Sequence, residues 1–180
     1  MFISEIVTGR GMAKTDSFFI RGSVTQTGSS FIQSTEDLGA FVDALGKSVL
    51  RIHNIEFMVT DDSEPSAGPS IAADSTLNVG VQLTTQSQTG LVTLDDKSVI
   101  ASARWVYSRA TNAYSAIDFV NDVAPQAWEN GYLVAVEQLY LGTDADAASA
   151  GGDYTISYVM ECTVETLSEK AAMALALSQQ

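Results

Sequence analysis

Residues suited to nucleophilic or metal chemistry are scarce in this sequence, which contains one histidine, His53, and one cysteine, Cys162. Histidine-rich and multi-cysteine zinc sites need more ligands than these. A nucleophile would have to combine Cys162 or a serine with His53. Cys162 lies on the apolar side of an alternating run, which predicts a small core residue, and His53 lies where the buried side of another run changes. We therefore expect no catalytic residue, no cofactor and no enzyme.

Acidic residues provide one candidate for a hard cation. Asp144, Asp146 and Asp153 fall in a glycine-containing connection, and clustered carboxylates with loop carbonyls are ligands that calcium prefers. The connection lacks the EF-hand pattern and its glycine position, and solvated turn residues are the alternative. We expect no metal site, with these three aspartates as the calcium candidate.

Alternation of apolar and polar residues dominates the chain. The longest run places six apolar residues on one side: Tyr154, Ile156, Tyr158, Met160, Cys162 and Val164. Period two is the pattern of a strand with one buried face. Shorter runs of this kind cover 18–24, 77–83 and 99–107. The segment 132–141 is apolar on both sides, which predicts a central strand covered on both faces.

One strand changes its buried side. Leu50 and Ile52 hold one parity, whereas Ile55 and Phe57 hold the other. An extra residue in one strand of a pair produces such a slip, so we expect a β-bulge or bend near His53.

Two short helices are predicted. Ser34 and the polar residues after it supply cap chemistry ahead of apolar residues at helical spacing, and Gly46 is placed to end that helix. Thr166 and Glu169 fit a capping box before the apolar tail 171–177.

The number of runs predicts the fold. About eight strands begin near Phe18, Phe31, Val49, Leu77, Leu91, Val99, Tyr132 and Tyr154. That number favours a mainly β fold, a two-sheet antiparallel β-sandwich of the jelly-roll type with one or two short helices. For 180 residues one domain is expected. We place an N-terminal arm at 1–15, the sandwich at 16–166 and a C-terminal helical tail at 167–180.

The charge of the chain is strongly asymmetric, with 22 acidic against 9 basic residues and a formal net charge of -13. Such a surface repels the phosphate backbone, so we expect no direct sequence-specific nucleic-acid binding. No window approaches the ~20 apolar residues of a transmembrane segment. Residues 1–10 lack the cationic and apolar pattern of a secretory signal, and one cysteine cannot form an intrachain disulfide. These features predict synthesis in a cytoplasm.

Both ends of the chain carry apolar residues outside the strand pattern. They are Phe2, Ile3, Ile6 and Val7 in the arm and Met173, Leu175 and Leu177 in the tail. Exposed apolar termini need a partner surface. We expect these seven residues to make assembly contacts, and docking on their own domain is the alternative.

An arm followed by about eight strands, long loops and a short tail resembles the single jelly-roll capsid proteins of tailless icosahedral viruses. The resemblance covers nearly the whole chain in outline and rests on 131–141, 153–165 and the tail 171–177. It implies a shell subunit of the virion, made in the host cytoplasm, whose termini tie capsomers together. Its partners would be copies of itself and other structural proteins, and no catalytic residue carries over.

Two other classes of protein remain open. A phage tail-tube or other ring-forming structural protein also uses a β-sandwich with a side helix. A carbohydrate-binding or adhesion module is the second alternative, since β-sandwiches host many unrelated functions. Open rings or tubes would indicate the first, and a monomer with exposed aromatic residues would indicate the second.

Overall fold

The computed structural model describes residues 14–43, 47–150 and 152–179. Strands dominate these residues, and the helical elements among them are a short 3-10 helix, Pro125–Ala127, and one α-helix, α1, Glu169–Ser178. In chain order the strands are β1 (Phe18–Gln26), β2 (Ile32–Asp37), β3 (Ser48–Asp61), β4 (Ser75–Thr84), β5 (Val99–Ala110), β6 (Ala113–Val123), β7 (Tyr132–Val134), β8 (Gln138–Ala145) and β9 (Tyr154–Thr166).

The strands pair in a nested order. β4 pairs with β5, β3 with β7, β2 with β8 and β1 with β9, all antiparallel. Successive pairs alternate between two sheets, Sheet A with the order β1-β9-β3-β7 and Sheet B with the order β2-β8-β4-β5-β6. A long hairpin wound up in this way is a jelly roll, so the predicted fold class is confirmed. β6 is an addition, joined to the edge of Sheet B by a tight hairpin with β5.

The core lies between the two sheets because each strand turns its apolar parity inward. On β9, Tyr154, Ile156 and Met160 are completely buried, which confirms the alternation seen in the sequence. Trp105 and Tyr107 on β5 are also buried and belong to the same core cluster. The long alternating runs are therefore the inner faces of the sandwich.

β3 changes its facing at a β-bulge. Its register with β9 shifts between Ile52 and Asn54, and His53 lies at the shift. Ile52 before the bulge and Ile55 after it are both completely buried. The slip predicted near His53 is thus confirmed, and the extra residue lets both halves of the strand face the core.

The helix predicted over 34–46 is wrong. Residues Ile32–Asp37 form β2, which pairs along its whole length with β8. The Asp37 side chain accepts a hydrogen bond from the Gly39 amide at 2.8 Å, so this polar residue stabilises a turn rather than a helix. One turn follows, in which the Val42 amide donates to the Leu38 carbonyl at 2.9 Å. The predicted end at Gly46 lies outside the described residues.

Two strand predictions also need correction, and one strand, β6, was not predicted. The strand expected near Leu91 is a loop between β4 and β5. The run 132–141 is not one central strand, because it divides into β7 of Sheet A and β8 of Sheet B. Its two halves are apolar on different parities since Val134 and Leu139 face the core from opposite sheets. β6 had no recognisable alternation, because its first residues, 113–116, are exposed on both sides.

Candidate functional site

Cys162 and His53 lie on opposite faces of Sheet A. Cys162 is completely buried in the core, and burial raises the pKa of its thiol to about 12. His53 lies at the bulge, with its Nε2 atom 2.9 Å from Oγ1 of Thr163, the outward-facing neighbour of Cys162. The core position of Cys162 and the bulge position of His53 are confirmed, and the sheet between them prevents a thiol–imidazole pair.

Replacing Cys162 with serine is expected to lower the free energy of unfolding by about 1 to 3 kcal/mol, because a hydroxyl enters an apolar site without a partner. Chemical denaturation measures the change. The control is Cys162→Ala, which removes the sulfur without adding a polar group and should cost less. Rapid modification of Cys162 by a thiol reagent in the native state would contradict its burial.

The calcium candidates do not converge on one point. The Asp146 carboxylate accepts hydrogen bonds from the backbone amide of Asn78, at 2.8 Å, and from its side-chain amide. The Asp144 carboxylate accepts a hydrogen bond from the Ala145 amide at 2.9 Å. At Asp153 the backbone carbonyl oxygen accepts a hydrogen bond from the backbone amide of Asp62 at 3.2 Å. Within the described ranges, no three Asp, Glu, His or Cys side chains are grouped as a metal site requires.

An ion cluster ties the start of the described chain to Sheet A and consists of Lys14, Arg51 and Glu165. The Glu165 side chain is completely buried and accepts from Nε of Arg51 at 2.6 Å and from its second terminal nitrogen at 2.8 Å. Nζ of Lys14 lies 2.7 Å from the same carboxylate. Hydrogen bonds from Arg51 and Lys14 lower the pKa of Glu165 from 4.5 to about 2. This ion cluster anchors the start of the described chain to β3 and β9.

The predicted assembly residues divide into two groups. Phe2, Ile3, Ile6 and Val7 lie outside the described residues. Those of the tail lie on α1, whose N-cap is Ser168, with a side chain accepting from the Ala171 amide at 3.3 Å. The capping box predicted at Thr166 is wrong, because Thr166 is the last residue of β9.

The buried side of α1 packs on the outer side of Sheet A. Ala172 and Ala176 form an apolar cluster with Val49 and Ala135, and Leu175 packs partly against it. The Gln179 side chain extends this contact, donating to the Leu133 carbonyl at 2.6 Å and accepting from the Ala135 amide at 2.9 Å. The tail therefore docks on its own domain through one of its faces.

The other face of α1 is exposed and apolar. Met173 is 46% exposed and Leu177 is 65% exposed, and their spacing of four residues places them side by side. We call this pair the α1 ridge. It presents two large apolar side chains to the solvent, next to a contact that already holds the helix in place.

The outer side of Sheet B is covered in part by the chain itself. Gln82 holds the β4–β5 loop, donating to the Val92 carbonyl at 2.6 Å and accepting from its amide at 2.9 Å. Leu91 lies over Gly80, where any Cβ would be only 2.5 Å from its methyl carbon. A groove of about 800 Å³ remains beside this loop, and an ion pair between Arg104 and Asp122 at 2.9 Å lies in it.

The outer side of Sheet A is exposed beyond α1. The outward-facing residues of three neighbouring strands, β1, β9 and β3, form a surface that we call the open face. It extends from Phe19 at one corner, on β1, to Met58 at the opposite corner, on β3. Phe19 is 56% exposed and Met58 is 55% exposed. A shallow groove of about 550 Å³ crosses the open face, and its lining comes from these three strands alone within the described part of the chain. No sequence pattern marked this face, because its residues belong to strands distant in the chain.

No protein-family model matches this chain, and no curated protein matches its sequence. Among solved structures, it is similar to one from Desmodium yellow mottle tymovirus, with a TM-score of 0.43 and 10% identity over 92% of this chain and 94% of that chain. A structure from turnip yellow mosaic virus has a TM-score of 0.36 and 13% identity over 92% and 87% of the two chains.

A third similar structure is the binding domain of botulinum neurotoxin DC in complex with rat synaptotagmin II. Its TM-score is 0.22 and its identity 8%, over 91% of this chain and 47% of that chain. Among the described residues, no helix has the length and apolar character needed to span a membrane. The two viral chains are similar to this chain in outline, at 10% and 13% identity.

Proposed function

We propose that this chain is a viral capsid subunit, a structural protein of the virion that assembles with copies of itself and with other structural proteins. The observation that carries the proposal is the exposure of large apolar side chains on the α1 ridge and the open face. Large apolar side chains that a folded domain leaves exposed mark candidate sites of protein association. A jelly roll presents two broad outer surfaces, one on each sheet.

The charge of the chain supports a shell that does not bind the genome directly. A net charge of -13 repels nucleic acid, whose phosphate groups need lysine and arginine for neutralisation. The basic residues Lys14 and Arg51 are already committed to Glu165. Another component would therefore lie between this subunit and the genome.

Electron microscopy of the purified full chain in negative stain, with light scattering for its mass, tests the proposal. Closed shells, or rings of five or six subunits, are the expected result. Stacked rings or tubes would instead support a tail-tube protein. A monomer that binds sugars would support a binding module, for which the exposed Trp128, 6.1 Å from the Tyr132 ring, would be the platform.

Two substitutions on α1 separate assembly from folding. Met173→Glu is expected to change the free energy of unfolding by less than about 0.5 kcal/mol and to impair assembly, because Met173 lies on the α1 ridge. Ala172→Glu, one residue away, should destabilise the domain by about 2 kcal/mol or more, because it forces a carboxylate into a buried apolar contact.

Denaturation curves and particle counts of both variants measure these effects. If Met173→Glu is as destabilising as Ala172→Glu, the helix is buried on both sides and the α1 ridge is not an exposed surface. Normal assembly of a stable Met173→Glu variant would remove the α1 ridge from the contacts.

A further inference from the structure

We infer that the free edge of β6 pairs with β6 of a second copy of this chain, antiparallel and about a two-fold axis beside Ser115. The five strands of Sheet B in each copy would then form one continuous sheet of ten strands. Strand addition of this kind uses backbone hydrogen bonds to join two proteins. The inference deepens the proposed function, on which it rests, because it names one contact between subunits and the strand that makes it.

The backbone of β6 leaves hydrogen-bonding groups unused. β6 is the outermost strand of Sheet B and pairs there with β5. Ala110 and Ala113 flank the two-residue turn between these strands, so they bond to each other. Because antiparallel pairs alternate, Ser115 also bonds to β5, whereas Tyr114 and Ala116 direct their amides and carbonyls away from it. Four backbone groups in each copy therefore point to the free edge.

The first half of β6 lacks the features that usually prevent an edge from pairing, which are charged side chains, proline, bulges and very short length. The other edge strands have such features or a neighbour. β7 has three residues, β2 ends in Glu36 and Asp37, and β1 carries Arg21 and contacts β2. In β6, residues 113–117 include no charged residue and no proline, and 113–116 are exposed. This stretch is open to another strand.

A second copy fits this edge because the edge is complementary to itself. A two-fold axis perpendicular to the sheet and beside Ser115 sets Tyr114 of each copy opposite Ala116 of the other. The two Tyr114–Ala116 pairs form four backbone hydrogen bonds, and each sets a large side chain against a small one. An axis beside Ala116 would instead set the two alanines against each other, with no large side chain to cover them.

The charge of the chain also selects this edge for contact between copies. A net charge of -13 makes two copies repel each other over most of their surfaces. An uncharged stretch such as 113–117 lets them approach with the least repulsion.

The rest of the molecule leaves the edge accessible. The Tyr114 hydroxyl donates to the Pro69 carbonyl at 3.4 Å. A Cβ on Gly68 would lie 3.0 Å from that hydroxyl and 3.6 Å from the Tyr107 ring, so the loop after β3 lies under the β5–β6 pair and not beside β6. The helix α1 packs on the outer side of Sheet A, away from Sheet B. A two-fold axis perpendicular to Sheet B keeps these elements of the two copies on opposite sides of the axis.

The contact is small. Five residues per copy cover well under the ~800 Å² per copy of a standard interface. We expect weak association of the free chain, which repeated contacts in a shell would strengthen.

Disulfide formation between copies of the full chain tests the register. Ser115→Cys should give a covalent dimer under mild oxidation, because the two Cα atoms would be about 4.5 Å apart. Ala113→Cys, exposed on the same strand, is the control. It should give at least tenfold less dimer, since its two Cα atoms would be about 14 Å apart, which is beyond the reach of a disulfide. Cys162 is completely buried and should not react.

Sedimentation equilibrium at increasing concentration tests the backbone hydrogen bonds. Ala116→Pro removes an amide that points to the free edge, so it should keep the denaturation midpoint of wild type and weaken the dimer at least tenfold. Ser115→Pro is the control for this geometry. It removes an amide that bonds to β5 and should lower the denaturation midpoint.

Three results would each overturn the inference: equal crosslinking of Ser115→Cys and Ala113→Cys, no crosslinking of Ser115→Cys at any concentration, or an Ala116→Pro variant that dimerises like wild type. If Ala116→Pro chains still form shells in the microscope, the proposed function stands and this edge contact does not. Specific crosslinking at Ser115 without shells from any chain would support the contact and count against the proposed function.

Discussion

Replacing Gly131 with alanine is expected to lower the free energy of unfolding by about 3 to 5 kcal/mol. Gly131 has a φ of +61°, a conformation that costs an L-residue about 1 to 2 kcal/mol. A Cβ there would overlap the carbonyl oxygen of Ile52 and lie 3.2 Å from its carbonyl carbon. These are backbone atoms at the bulge of β3, so they cannot move without breaking the pairing of β7.

Gly28→Ala is the matched control for this prediction. Gly28 also has a positive φ, of +76°, but a Cβ there would meet nothing within 4 Å. The control should therefore lose only the conformational cost of about 1 kcal/mol. Denaturant unfolding of both variants gives the two values. Equal losses would mean that the chain does not approach β3 as closely as the structure indicates.

Replacing Glu165 with alanine is expected to lower the free energy of unfolding by about 3 to 5 kcal/mol, because it leaves Arg51 partly buried without its counter-charge. The Arg51 side chain is 11% exposed and the Glu165 side chain is completely buried. Asp122→Asn is the control, because it breaks the ion pair with Arg104, which is 66% exposed. An exposed pair of this kind should contribute less than about 1 kcal/mol.

The Glu165 carboxylate should also make stability depend on pH. Its pKa in the folded chain is lowered from 4.5 to about 2, so the native state holds the ionised form more strongly than the unfolded chain does. One pKa unit corresponds to about 1.4 kcal/mol, which makes this contribution about 3 kcal/mol. It is complete above pH 4.5 and is lost as the pH falls through 2.

Comparison with Glu165→Gln isolates this contribution, because glutamine keeps the shape of the side chain but does not titrate. The difference in free energy of unfolding between wild type and Glu165→Gln should be largest above pH 5 and should shrink as the pH falls toward 2. A difference that is independent of pH in this range would mean that Glu165 is not held by Lys14 and Arg51.

The strands of the core were predictable because a strand reveals its buried side locally. The alternation from Tyr154 to Val164 can be recognised without knowing any neighbouring strand, and this run is the strand β9. The slip at His53 was visible for the same reason, since the apolar residues before and after it hold different parities. Cys162 could be placed in the core from its position in that run.

Local signals failed where a distant segment decided the structure. The residues from Ser34 resemble a helix start, yet pairing with β8 draws them into a strand. Leu91 resembles strand sequence, but it lies in a loop because Gly80 leaves space for it on Sheet B. In both cases the deciding partner is more than ten residues away, and its contacts outweigh weak local preferences.

By itself, the sequence determined that this is an acidic, mainly β chain with half-buried strands, a bulge near His53 and a buried thiol. Tertiary structure decided which strands are neighbours, and therefore which side chains meet. Arg51 and Glu165 are 114 residues apart, and the open face takes its residues from β1, β9 and β3. The physical reason is that alternation records only which side of a strand is buried, whereas pairing and register depend on contacts across the fold.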